Sequence, residues 1–247
     1  MLSYGEKLTE KKRLLSLPEF ERPLTVRLKF RKVGSLQYIS HLDLQRTFIR
    51  VITRACIPVW YTKGFNPHPK LVFSTPLGIG TQSECEFLDI RIDRDMPCEE
   101  IAARLNGELT DELRIEDCYI PTKDFSEIGW ASYRFEICTE GASSEMAAAI
   151  QKTLTESPLL LTKKTKSGEK EVDIVPMIHD AQVRYDAEAK TISIEAMLRA
   201  SSTEFLNPEL VMTGLKQKNG ILGTDLSREW YTVVRTALLC EDFSKFS

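Results

Sequence analysis

Residues Gly34 to Asp89 read GSLQYISHLDLQRTFIRVITRACIPVWYTKGFNPHPKLVFSTPLGIGTQSECEFLD, and the order of helix and strand within this stretch decides the fold. Ser40-His41-Leu42-Asp43 has the S-x-x-D form of a capping box, so a helix begins there, with the Ser hydroxyl and Asp carboxylate meeting free N–H groups of the first turn. Leu44, Phe48, Val51, Ile52 and Ala55 recur at helical spacing as a buried stripe, while Arg46, Arg50 and Arg54 line another face. After Ile57-Pro58, VWYT and KLVFST read as strands on either side of Lys63-Gly64-Phe65-Asn66-Pro67-His68-Pro69-Lys70. A residue before proline is restricted to extended backbone, so His68 sits on a stiff loop. CEFLDIRI then continues as a strand.

Working outward, LTVRLKFRK from Leu24 alternates Leu24, Val26, Leu28 and Phe30 with Arg27, Lys29 and Arg31, which predicts a half-buried strand whose wet face is positive. PCEEIAARLNGEL has helical spacing at Ile101, Leu105 and Leu109, and LRIEDCYIP closes as a strand. Residues 24–121 thus follow the order β-α-β-β-α-β, the ferredoxin-like arrangement. TKDFSEIG lies in a linker at 122–130. Beyond it, over residues 131–247, strands at ASYRFEICTE, QVRYD, TISIEAMLRA and WYTVVRTALLC alternate with helices at SSEMAAAIQKTLTES and NPELVMTGLKQK, so the same order recurs. The expectation is an α+β chain of two tandem ferredoxin-like units behind an N-terminal extension at 1–23.

Composition narrows the function classes. In 247 residues no apolar run approaches the roughly 20 needed to span a bilayer, and the N-terminus lacks the apolar core of a signal peptide; a cytoplasmic protein without a membrane partner is expected. Six cysteines stand singly, with no CxxC and no Cys/His cluster at zinc spacing, so reduced thiols and no metal are expected. No motif calls for a cofactor. A net charge of −3 excludes wholesale coating of nucleic acid. Yet from Arg22 to Ser83 ten bases face a single acid, Asp43, so a local anion site is expected there.

The residues that would build it are Tyr38, Ser40, His41, Asp43, Arg46, Arg50, Arg54, Phe65, Asn66, His68, Lys70, Gly78, Gly80 and Glu86. Three arginines at i,i+4 repel by a few tenths of a kcal/mol per pair unless acids or an anionic partner neutralise them. Tyr38, Trp60, Tyr61 and Phe65 interleave aromatics with bases, the composition on which unpaired bases stack. Gly78-Ile79-Gly80 lacks the G-K-[ST] of a P-loop and makes a tight turn whose N–H groups suit a phosphate. Lys163, Lys164, Lys166 and Lys170 form a second basic segment around Ser167-Gly168. His41 and Asp43 are two apart, about 200° around a helix, so they do not pair directly. His41 and His68 remain the candidates for general acid/base chemistry. A metal site of both with Asp43, Glu86 or Asp89 has no spacing that fixes it.

Tyr38-Ile39-Ser40-His41-Leu42-Asp43, with Arg46, Arg50, Arg54-Ala55, Pro58, Gly64-Phe65-Asn66-Pro67-His68-Pro69-Lys70, Pro76-Leu77, Gly80 and Ser83-x-x-Glu86, closely resembles the radical SAM-linked proteins, or DUF2344. LTKKTKSGEKEVDI resembles that family's second half. The likeness spans most of the chain after residue 23. It implies a radical SAM enzyme encoded beside the protein or fused to it, often near genes of ribosome and RNA metabolism. It also favours His41, Asp43, Arg46, Arg50, Asn66, His68 and Lys70 as one site, without assigning roles. This chain lacks the CxxxCxxC of a radical SAM cluster, so radical chemistry would belong to the partner.

Together these features favour an accessory protein that binds RNA, such as tRNA or rRNA, and presents it to a radical SAM enzyme. Two alternatives stand beside it. One is a metal-independent nuclease or other phosphodiester-acting enzyme using His41 or His68. The other is a protein–protein adaptor that binds no RNA.

Overall fold

The structure, a computed structural model, describes residues 4–156, 158–165, 168–223 and 227–247, and it is α+β. The chain divides into two compact units, one formed by residues 1–79, 83–124 and 247, the other by 80–82 and 125–246. Among the described residues no helix is long and apolar enough to cross a membrane.

The first unit contains α1 (Tyr4–Ser16), β1 (Leu24–Lys32), α2 (His41–Arg54), β2 (Val72–Phe73), β3 (Thr81–Ile92), α3 (Cys98–Asn106) and β4 (Leu113–Tyr119). β1 pairs antiparallel with both β3 and β4, and β2 pairs antiparallel with β3, so the strand order is β4-β1-β3-β2. The predicted stripe of α2 is buried at all five positions, with Phe48 and Ile52 fully inside. It packs with Ile101 and Leu105 of α3 on Val26, Leu28, Phe30, Leu88, Ile90 and Ile92 of the sheet. The extension expected before residue 24 is a helix that joins this core through Leu14.

The basic face of β1 is wet only in part: Lys29 and Arg31 are half-buried, while Arg27 and the neighbouring Lys32 are closed off. Arg27 is 1% exposed and Lys32 3%, because acceptors come to them: Asp89 across the β1–β3 pair takes Arg27, and the carbonyls of Leu36 and Gln37 take the Lys32 ammonium. The strand expected at VWYT is reduced to bridges, Val59 opposite Ile92 and Tyr61 opposite Pro69.

The second unit contains β5 (Ile128–Cys138), α4 (Ser144–Thr155), β6 (Leu160–Thr165), β7 (Gly168–Asp173), β8 (Ile178–Asp186), β9 (Thr191–Arg199), α5 (Pro208–Asn219) and β10 (Trp230–Cys240). β10, β5, β9 and β8 are neighbours in that order, all antiparallel, while β6 and β7 form a separate hairpin. α5 starts where Asn207 and Pro208 predicted, the Asn207 side chain accepting from Glu209 N at 3.1 Å. β5 begins at Ile128, inside the stretch expected to be a linker.

Candidate functional site

At the start of α2 the Ser40 half of the expected capping box forms, while the Asp43 carboxylate takes the Ser40 hydroxyl in place of a backbone N–H. Ser40 Oγ accepts from Asp43 N at 3.2 Å and donates to Asp43 Oδ2 at 2.7 Å. That hydroxyl, with Arg46 and Arg50 beside it, holds the Asp43 carboxyl below its ordinary range. Ahead of the cap, Gly34 takes φ +61°, and a Cβ there would collide with the Glu112 carboxylate. Glu112 uses the space to accept from Ser35 Oγ at 2.6 Å and Ser35 N at 3.2 Å, which fixes the turn carrying Tyr38. Tyr38 is 68% exposed. The His41 ring stands edge-on to Phe73 of β2, with centroids 4.8 Å apart.

The GFNPHPK segment projects from the sheet edge. Val59 lies opposite Ile92 and Val72 opposite Asp89, so residues 61–71 leave the β3 edge and return to it almost in register. The loop is clasped at its base: Thr62 N donates to His68 O at 3.0 Å, His68 N donates to Thr62 Oγ1 at 3.2 Å, and Pro69 is buried. His68 Nδ1 lies 3.0 Å from the Asn66 carbonyl, which only accepts, and 3.3 Å from Thr62 Oγ1, so in the neutral ring Nδ1 carries the proton and Nε2 is the acceptor. At the tip Phe65 is 112% exposed, while Asn66, Lys63 and Lys70 are also exposed. Trp60 is half-buried with the Arg91 guanidinium 5.9 Å from its ring centre, so its face is taken.

The three arginines of α2 have separate fates. Arg46 reaches Asp43 at 3.4 Å, and Arg54 reaches Glu108 at 2.8 Å. Glu108 also takes Lys7 of α1 at 2.8 Å; burial pushes its carboxyl up, but Lys7 and Arg54 outweigh this and leave it lowered. Lys29 pairs with Glu116, and Arg31 donates to the Asp111 carbonyl. Three of the ten bases, Arg27, Lys29 and Arg54, are therefore met by acids distant in sequence. Among the described residues Arg50, Lys63 and Lys70 make no ion pair.

Glu86 is 4% exposed, and Asp89 holds Arg27 through two bonds, so neither offers a free carboxylate to solvent. Among the described residues no three of His, Cys, Asp and Glu cluster at metal-binding distance. Among the described residues no hydrogen bond or ring contact joins His41 to His68: one rests on Phe73, the other on Thr62 and Asn66. Gly80 adopts φ +87° with open space where a side chain would stand, while Gly78 has no positive φ. Lys166 lies outside the described residues, as do the side chains of Lys163, Lys164 and Lys170.

Sequence alone gave Glu108 and Glu112 no weight, since they sit in an ordinary acidic stretch more than fifty residues from the groups they hold. Gly34 is the local signal in the sequence: its φ of +61° suits glycine, and the missing side chain leaves the space that the Glu112 carboxylate fills. The six cysteines are all free; Cys118 sits by Cys98, and burial first, then that neighbour, pushes its thiol up.

An α+β chain that carries a clasped, aromatic-tipped basic loop beside a capped helix is the class of protein defined here. It belongs to the family described as uncharacterized proteins conserved in bacteria, DUF2344, which matches residues 25–208. No curated protein matches the chain. Among solved structures it is similar to a protein of unknown function from Galdieria sulphuraria, at 9% identity over 87% of this chain and 99% of that one, with a TM-score of 0.26. It is also similar to DyPB from Rhodococcus jostii RHA1, at 11% identity over 90% and 95%, with a TM-score of 0.20. Neither likeness bears on fold or function at those scores.

Proposed function

We propose that the protein is a cytoplasmic accessory subunit that binds RNA, tRNA or rRNA, and presents it to a radical SAM enzyme. The observation that carries the RNA half is the company kept by Arg50, Lys63 and Lys70: three bases without an ion pair among the described residues, in the same sequence stretch as the exposed rings of Tyr38 and Phe65. Phosphates suit the bases, and base faces suit the rings. The partner half rests on the sequence resemblance. The same proposal takes both units as ferredoxin-like, supported by the strand orders β4-β1-β3-β2 and β10-β5-β9-β8; in the second unit the β6–β7 hairpin is then an insertion.

Mobility-shift titration of the purified chain with tRNA and rRNA fragments at low and moderate salt tests it. Binding should weaken with salt, and reversal of Arg50, Lys63 and Lys70 to Glu should flatten that dependence by about 0.7 to 0.9 in log–log slope per lost contact. No shift at low salt, or an unchanged slope in the triple variant, removes the RNA reading. Co-purification with a partner that withstands nuclease would then favour the adaptor.

His68 supports a second, catalytic reading, because an imidazole with Nδ1 held by a carbonyl leaves Nε2 as a base toward a phosphodiester. Cleavage of labelled RNA that disappears in His68→Ala would favour it; cleavage that persists would exclude this residue.

A further inference from the structure

We propose that the Gly64–Pro69 loop is a base-stacking finger, so that the RNA bound at this surface is engaged at an unpaired nucleotide and not along a duplex. This rests on the RNA reading above and adds to it the form of RNA taken. The carrying observation is that a large apolar ring is held out in water on a loop whose base is closed by hydrogen bonds. Phe65 is more exposed than in an extended peptide, yet its loop is fastened at both ends by the Thr62–His68 bonds and the Tyr61–Pro69 bridge. Gly64 takes φ +145°, a backbone that L side chains rarely adopt, and prolines at 67 and 69 stiffen the far side. An aromatic ring that serves only packing would be covered. One displayed rigidly loses little conformational entropy when a flat partner covers it.

The groups around Phe65 specify that partner. Lys63 and Lys70, two residues before and five after Phe65 in the chain, are exposed and make no ion pair among the described residues, so the same segment offers positive charge for the phosphates of a strand. His68 Nε2 is an acceptor, suited to a ribose 2′-hydroxyl or an exocyclic amine. A paired base in an A-form helix shows no open face, so only an unpaired one can stack here. A lipid surface fits less well, because membrane binding grows with buried apolar area, and this loop offers one phenyl ring in a segment whose other exposed side chains include Lys63, Asn66 and His68.

The test uses the full chain, a 12-nucleotide RNA carrying 2-aminopurine, and the same RNA annealed to its complement. The wild type should bind the single strand about tenfold or more tightly than the duplex and quench the probe. Phe65→Ala should lose that preference and the quenching while keeping its melting temperature and the salt slope of binding; Phe65→Trp should restore both. RNA binding by the wild type with single-strand affinity and quenching unchanged in Phe65→Ala overturns the finger and leaves the RNA reading standing. Failure of the wild type to bind either RNA overturns both. Phe65-dependent partition onto phosphatidylserine vesicles, without RNA binding, also overturns both and assigns the loop to membranes.

Discussion

Arg27 lies directly opposite Asp89 in the β1–β3 pair and grips its carboxylate with Nε at 2.7 Å and a terminal nitrogen at 2.9 Å. A guanidinium 1% exposed inside a sheet relies on this bidentate pair to replace part of the water it has lost. Removing one partner strands the other. Arg27→Met should cost about 3 kcal/mol in urea unfolding, and the double variant Arg27→Met/Asp89→Leu should recover part of it, since a buried pair exchanged for apolar groups is often nearly neutral. A single variant within about 0.5 kcal/mol of wild type would show that the pair contributes nothing.

Gly34 gives the second prediction. At φ +61°, with the Glu112 carboxylate filling the space of a side chain, Gly34→Ala meets both backbone strain and a clash. A loss of about 2 to 3 kcal/mol is expected. Gly34→Ala/Glu112→Ala should relieve the clash but not the strain, so a double-mutant cycle should return a coupling between the two sites.

Acid should loosen the N-terminal helix. Glu10 of α1 takes a hydrogen bond from Arg13 and another from Arg104 of α3, and despite partial burial its pKa falls from the ordinary 4.5 to about 2. A carboxyl whose pKa is lower folded than unfolded adds stability that is complete above about pH 4.5 and is lost as pH falls toward 2. Melting temperatures measured across that window should fall less steeply in Glu10→Gln than in the wild type. Parallel curves would remove Glu10 as a clasp on α1.

The cap of α2 is the fourth. Ser40→Ala leaves Asp43 N without its acceptor and should cost about 1 kcal/mol, with Ser40→Thr keeping most of the stability. Equal melting temperatures for the Ala and Thr variants would show that Ser40 does not act through the cap.

How much was legible in advance differs by residue. Leu44, Phe48, Val51, Ile52 and Ala55 are buried as their spacing required, because a helix repeats its own geometry and needs no distant information. Arg27 and Arg54 were not legible. Whether a base faces water depends on an acid brought opposite by the sheet or by a neighbouring helix, and Asp89 and Glu108 lie 62 and 54 residues away. The exposure of Phe65 was equally hidden: an aromatic between a glycine and an asparagine reads the same whether it turns inward or outward.

The sequence by itself determined most of the elements and the start and buried stripe of α2, because hydrogen bonding in the first turn and side-chain periodicity act within a few residues. Only the tertiary structure decided which charges are spent inside the protein and which remain for a partner. Ion pairs across a fold obey distance in space, and distance along the chain does not encode it.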